Sequence, residues 1–203
     1  MGVATQEAGP DTAEALEREA RLTAPLIRAA TAQDAETIAQ IHVAAWRESY
    51  ADLFPGQALA SLDIAERARL WREIILAGPA SGATFLLEFA GEGPAGFSSC
   101  GAQRSDRLRE QGFLGEFEAI YILKRGQRRG GGRALMRAIA RHLLGQGFEG
   151  ASVWVFRDNP PARHFYEALG AVATGIDGTW TTLGQTLPDM SYGWRDLRLL
   201  ARE

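Results

Sequence analysis

The chain has 203 residues, 46% hydrophobic and 23% charged, as expected for a globular protein with one proper core. Its formal net charge of −3 argues against general binding to nucleic acid, and no apolar run approaches the roughly 20 residues of a membrane span. A single cysteine, Cys100, excludes an internal disulfide and fits a reducing cytoplasm, where we expect the protein to act.

The first part of the chain predicts a leader and then a strand and two helices. Residues 1–24 are poor in large apolar side chains and predict a mobile or loosely helical leader, so we place a single domain at 25–203. "LIRAA" predicts a strand, and Thr31 or Asp34 could cap the helix that follows. "FPGQALASLDIAERARLWREIILAG" predicts a turn and a second helix, which ends at Gly78.

Strand patterns dominate the second half. "ATFLLEFAGE", "PAGFSSCGAQR" and "GEFEAIYILK" predict three successive strands, in the second of which Cys100 is expected to be a buried structural thiol. A glycine-rich stretch then leads into a helix that runs to about Leu144. "GASVWVFRD" predicts a strand, "NPPARHFYEALGA" a short helix closed by Gly170, and "TWTTLGQTLPDMSYGWRDL" two more strands. The order β-α-α-β-β-β-α-β-α-β-β predicts a mixed α/β fold.

Positive charge is concentrated around the most flexible backbone. Residues 119–148 contain seven Lys and Arg and no Asp or Glu, so the rest of the chain carries −10. Within that stretch, Gly130, Gly131 and Gly132 are costly to order unless backbone N–H groups must approach a ligand closely. Glycine, a helix N-terminus and clustered arginines together predict a cradle for an anion, most simply a pyrophosphate.

Two familiar phosphate loops do not fit this stretch. A P-loop continues with Gly-Lys-Ser/Thr, whereas "GGGRAL" stands here and offers no hydroxyl for magnesium. The Rossmann spacing Gly-x-Gly-x-x-Gly is not matched by Gly126, Gly130 and Gly132. A metal-free site for a phosphorylated carrier remains.

Two segments in the right order resemble the GNAT superfamily of N-acetyltransferases. "QRRGGG" resembles that family's acetyl-CoA-binding motif, and "NPPARHFYEALGA" resembles the segment that follows it. The matching positions are Gln127, Gly130 and Gly132 in the first, and Asn159, Ala162, Phe165, Tyr166 and Gly170 in the second. Lys124 departs from the family, which often has proline there. The resemblance covers roughly 26–195 and implies a twisted, mixed and mostly antiparallel sheet of about six or seven strands flanked by helices.

The resemblance also implies which residues bind acetyl-CoA. The strand Ile120, Tyr121 and Ile122 would pair its backbone with the pantetheine arm, as an added strand does. Asn159 would hydrogen-bond the arm, beside Ala162 and Phe165. The pyrophosphate would be bound by the glycine-rich turn, which comprises Gln127, Arg128, Arg129, Gly130, Gly131, Gly132 and Arg133.

Three residues are expected to move protons when an amine attacks the thioester directly. The resemblance places Tyr166 near the thioester sulfur, where its phenol, which keeps its proton at neutral pH, would protonate the departing thiolate; its spacing alone predicts a side chain that packs beside Phe165. Glu116 and Glu118, two apart on a strand, could face one cleft and accept a proton from the amine, with Glu116 slightly favoured. The sequence does not decide between the two.

The sequence says less about the acceptor, the amine that would receive the acetyl group. Trp46, Tyr50 and Trp180 are candidate wall residues, and aromatic faces beside carboxylates suit a cationic small-molecule amine, such as a polyamine. A protein N-terminus or lysine stays open as the acceptor, as does a catalytically silent sensor that only binds acetyl-CoA. The three histidines lack ligand spacing, so no metal is expected, and exposed strand edges suggest a possible homodimer.

Overall fold

The computed structural model describes residues 24–78 and 82–202, so the predicted leader lies almost wholly outside the described residues. The strands are β1 (Pro25–Ala29), β2 (Ala83–Phe89), β3 (Gly93–Ala102), β4 (Gly115–Ile122), β5 (Ala151–Phe156), β6 (Val172–Thr182) and β7 (Gln185–Trp194). The helices are α1 (Ala35–Ser49), α2 (Gly56–Ala60), α3 (Ile64–Leu76), α4 (Asp106–Glu110), α5 (Gly131–Gly145), α6 (Pro160–Ala168) and α7 (Leu197–Arg202).

The seven strands form one sheet in the order β1-β2-β3-β4-β5-β7-β6. Every neighbouring pair is antiparallel except β4 and β5, which run parallel. The predicted fold class is therefore confirmed. The segment predicted as one second helix is two, α2 and α3, because Asp63 starts a new helix by accepting a hydrogen bond from the backbone N–H of Glu66. The sequence reading missed the short helices α4 and α7.

Helices cover both faces of the sheet. Helix α5 buries the stripe of Leu135, Ile139 and Leu143 against one face, as its spacing predicts. Helices α1 and α3 pack on the other face, where Ile38 and Trp71 belong to one apolar cluster. Cys100 is buried at the α5 face and its pKa is raised to about 12 by burial, so it is the structural thiol expected. No helix within the described residues is long and apolar enough to cross a membrane.

Strands β4 and β5 separate soon after they meet. They pair only where Gly115–Phe117 faces Ala151–Val153, and beyond this point the two strands leave a gap in the sheet. On its other side, β4 contains a bulge, because Phe117 is opposite Cys100 and Ala119 is opposite Ser99. Phe117 consequently packs on the α5 face, whereas Ala119 and Tyr121 pack on the α1 and α3 face.

Candidate active site

A cleft of about 1480 Å³ occupies the gap between β4 and β5. Its walls include every residue of β4 from 116 to 122 and of β5 from 153 to 156. Successive strand residues point to opposite faces, so a cleft lined by all of them passes through the sheet. One mouth opens beside the N-termini of α5 and α6, and the other opens beside the end of α1 and the β6–β7 hairpin.

The glycine-rich turn borders the first mouth. Gly130 caps α5 in the left-handed conformation, with φ of 79°, and a Cβ placed there would contact nothing within 4 Å. A Cβ on Gly132 would instead lie 3.0 Å from the ring of Phe165. Both glycines line the cleft, whereas Gly131 does not. A Cβ on Gly131 would lie 2.5 Å from Leu87, so this glycine allows α5 to pack on β2 rather than contact a ligand.

The side chains of the glycine-rich turn take different positions around the cleft. Arg128 and Arg133 line the cleft together with Lys124, and Gln127 donates a hydrogen bond of 2.9 Å to the carbonyl of Ile122 at the end of β4. Arg129 turns away: its guanidinium pairs with Glu92 at 2.7 Å and lies 3.7 Å from the ring centre of Phe89. Only the backbone of Arg129 is left for the predicted role.

The opposite wall of this mouth is formed by α6. Its cap is Asn159, whose side-chain oxygen accepts from the backbone N–H of Ala162 at 3.3 Å, so the amide group is what remains to meet a ligand. Asn159, Ala162 and Phe165 all line the cleft, as does Tyr166. The predicted cofactor residues of β4 and α6 therefore lie on two walls of the same cavity.

Tyr166 lies deep in the cleft, with 5% of its surface exposed. Its ring packs edge-on against Trp194, at 6.0 Å between ring centres. Burial raises the pKa of Tyr166 above its usual value, with a further contribution from Tyr121. The phenol thus keeps its proton throughout the neutral range, as a proton donor must.

Glu116 and Glu118 share the cleft but differ in their surroundings. Glu116 is 2% exposed and is held by Arg104, which donates to it from the backbone N–H, from Nε at 3.1 Å and from Nη2 at 2.5 Å. Such a two-pronged pair satisfies both carboxylate oxygens. Both oxygens of Glu116 are thus engaged by Arg104, which makes its neighbour the better candidate for the base.

Glu118 stands at the bulge and is the less constrained carboxylate. It accepts one long hydrogen bond of 3.4 Å from Ser99 and lies 4.0 Å from Arg104. Burial raises the pKa of Glu118, Arg104 opposes this shift, and Glu116 adds to it. A partly exposed carboxylate with a raised pKa and few partners has the character of a general base.

Aromatic side chains border the second mouth, although not all those predicted. Tyr50 lines the cleft, and Trp180 does so with 44% of its surface exposed while its ring stacks on Phe156 at 5.3 Å. Trp46 is 1% exposed and packs behind them, 5.7 Å from Trp180 between ring centres, so the structure places it behind the predicted wall rather than in it. The same cleft is also lined by Arg104, Trp154 and Asp189, which were not predicted from the sequence.

The described residues contain no candidate metal group, and His42 is a buried residue that packs against aromatic rings. Within residues 24–78 and 82–202, no set of three or more His, Cys, Asp or Glu side chains could hold a metal ion. His42 is a packing residue: its Nδ1 accepts from the indole of Trp71 at 3.1 Å, its ring stacks on Tyr121 at 4.8 Å, and burial lowers its pKa to about 3.

Known proteins are similar to this chain in sequence and in fold. A family model described as "Acetyltransferase (GNAT) family" matches residues 35–171. The chain is 34% identical over 174 residues to the uncharacterized N-acetyltransferase YuaI of Bacillus subtilis, covering 86% of this chain and 95% of that protein. PaiA N-acetyltransferase of Thermoplasma acidophilum, solved with coenzyme A, superposes with a TM-score of 0.66 at 18% identity, covering 84% and 99% of the two chains. Phosphinothricin acetyltransferase of Sinorhizobium meliloti, solved with acetyl-CoA, gives 0.62 at 21% identity, covering 84% and 87%.

Proposed function

Because the chain belongs to the acetyltransferase (GNAT) family and is an acetyl-CoA-dependent N-acetyltransferase, we propose that its acceptor is a small molecule with a cationic primary amine. The observation that carries this proposal is the division of charge along the cleft. Lys124, Arg128 and Arg133 line the part beside the glycine-rich turn. The other charged side chains of the lining are Arg104 and the carboxylates Glu48, Glu116, Glu118 and Asp189, of which Glu48 binds the backbone N–H of Lys124. An anion suits the part beside the turn and a cation suits the part with the carboxylates.

The residues beside the turn fit acetyl-CoA. Gly130 and Gly132 leave the backbone bare where α5 begins, and the first N–H groups of a helix have no partner within it. These N–H groups, the helix dipole and the cations of Arg128 and Arg133 together suit a pyrophosphate. The part of β4 from 120 to 122 has no pairing with β5 and could receive an extended arm along its edge.

When bound, acetyl-CoA supplies an activated acyl group on sulfur, and the chain's own residues manage the protons. Glu118 accepts a proton from the ammonium, directly or through water, so that the amine is neutral when it attacks. Tyr166 donates its proton to the departing sulfur. Glu116 fixes Arg104 beside Glu118, which limits how far the pKa of Glu118 rises. A proton acceptor, Glu118, and a proton donor, Tyr166, thus line the same cavity.

The aromatic wall supports a small acceptor. The ring of Phe156 lies 5.5 Å from that of Tyr50 and 5.3 Å from that of Trp180, and all three residues line the cleft. Aromatic faces attract ammonium groups, particularly where water is excluded. A compact cationic amine can contact both these rings and the carboxylates of the same cavity.

The test is release of free thiol from acetyl-CoA with a panel of amines, with mass spectrometry of the acetylated product. The panel should contain small monoamines, diamines, amino acids and a peptide with a free N-terminus and lysine. We expect turnover with small amines and little with the peptide. Turnover with the peptide alone would assign the protein acceptor instead, and tight binding of acetyl-CoA without any product would indicate a sensor.

A further inference from the structure

One carboxylate of the cleft has no role in the transfer step. Asp189 lies on β7, opposite Phe156 on β5 and opposite Gly178 on β6. Its Oδ1 is buried and has no hydrogen-bond partner within the described residues. Leaving a buried carboxylate oxygen unmatched is costly, so its position calls for a group that the described residues do not supply.

The other carboxylates of this region are engaged. Glu116 is held by Arg104 at 2.5 Å, and Glu118 accepts a hydrogen bond from Ser99. Glu48, which also lines the cleft, accepts from the backbone N–H of Lys124 at 2.7 Å. Asp189 differs from all three, because its Oδ1 has no hydrogen-bond partner in the described part of the chain and the carboxylate is hydrogen-bonded only to its own backbone N–H.

The surroundings of Asp189 suit a cation. A Cβ added to Gly178 would lie 2.7 Å from Oδ1 of Asp189 and 3.2 Å from the ring of Trp154, so the carboxylate and this ring meet above a glycine. Trp154, Gly178 and Trp180 all line the cleft around it. A carboxylate beside aromatic rings is a favourable environment for an ammonium group.

We infer that Asp189 is a specificity-determining residue that binds a second cationic group of the acceptor, which makes the preferred substrate a linear diamine. The inference rests on the proposed function, since it concerns the acceptor of that same cleft. One ammonium gives up a proton to Glu118, and the resulting neutral amine attacks the thioester from there. The other stays charged at Asp189 and orients the molecule.

The spacing of the strands allows both contacts at once. Phe117 is in register with Val153, and Asp189 is opposite Phe156, so Glu118 and Asp189 are two strands and about two residues apart. From the strand spacing and rise, their Cα atoms are at least about 12 Å apart. Both side chains line the same cleft, and a short alkyl chain against Trp180 and Phe156 could span the distance between them.

The experiment compares Asp189→Asn with wild type on a series of linear diamines and on monoamines of equal chain length. We expect wild type to prefer a diamine. Asp189→Asn should lower kcat/KM for that diamine about 10- to 100-fold, mainly through KM, as for loss of a charge-assisted hydrogen bond. The monoamine should change by less than about threefold.

The matched control is Asp177→Asn. Asp177 lies on neighbouring β6, pairs with Arg157 at 2.8 Å and is absent from the cleft wall, so the diamine preference should survive its loss. If Asp189→Asn does not fold, Gly178→Ala tests the same point, because its Cβ displaces the carboxylate while the charge is retained. Equal losses for diamine and monoamine, or no diamine preference in wild type, would overturn the inference and leave the proposed function standing. Failure of wild type with every amine would refute both.

Discussion

Replacing Glu118 by Gln tests the assignment of the base. An alkyl amine has a pKa near 10.4, so at pH 7 only ~1 in 2,500 molecules is neutral. Glu118 accepts the proton of the ammonium within the complex. Replacing Glu118 should therefore lower kcat/KM about 10²- to 10³-fold at pH 7. The substituted amide keeps the size of the side chain and its contact with Ser99.

The pH profile gives the sharper readout. A base must be ionised, so the rate of wild type falls as the pH drops through the pKa of Glu118, which burial raises. In Glu118→Gln this fall should vanish. Activity should instead rise about tenfold per pH unit towards pH 10, following the free amine in solution. Steady-state kinetics from pH 5 to 10 measures both behaviours.

Glu116→Gln is the matched comparison on the same strand. Its carboxylate is bound by Arg104, whose side chain is 68% exposed, so the substitution should cost about 1 to 2 kcal/mol of stability. Its rate should fall less than about tenfold. The reasoning is refuted if Glu116→Gln loses as much rate as Glu118→Gln without a loss of stability, or if Glu118→Gln leaves the profile unaltered.

Four further substitutions test the remaining parts of the site. Tyr166→Phe should lower kcat about 10- to 100-fold with acetyl-CoA affinity intact, and unchanged turnover would remove Tyr166 as the acid. Gly130→Asp places a negative charge in the turn without a steric contact, so calorimetry should show at least about a 100-fold loss of acetyl-CoA affinity. Because a non-glycine residue is strained at this positive φ, the melting temperature should fall by about 2 to 8 °C while the protein stays folded. Gly131→Ala should instead cost about 1 to 3 kcal/mol through Leu87 with affinity retained, and the reverse pattern would contradict the turn's geometry. Trp46→Ala should cost about 3 to 5 kcal/mol in denaturant unfolding; a selective rise in the acceptor KM at unchanged stability would restore it to the wall.

Local patterns predicted the parts of the fold that depend on near neighbours. The stripe of Leu135, Ile139 and Leu143 is a property of one helix, and its burial is confirmed. The glycine-rich turn was found in the same way, because a helix start beside bare backbone is local. Trp46 and Tyr50 show the limit: their spacing places both on one helix face but does not set the depth at which each is buried.

Local patterns could not predict contacts between residues on different strands of the sheet. Arg104 meets Glu116 only because β3 and β4 pair in a particular register, with a bulge that no local signal announces. Asp189 enters the cleft because β7 lies between β5 and β6, an order that differs from the order along the chain. The choice between Glu116 and Glu118 depends on both facts, so the sequence left it open.

The central claim is that the acetyl group passes directly from acetyl-CoA to an amine bound in this cleft. Its most direct test is to mix the protein with acetyl-CoA labelled in the acetyl group, first without and then with a small diamine. We predict no thiol release and no labelled protein until the amine is added, and then one acetylated amine for each thiol released. Label on the protein before the amine is present, or thiol release without acetylated amine, would contradict the claim.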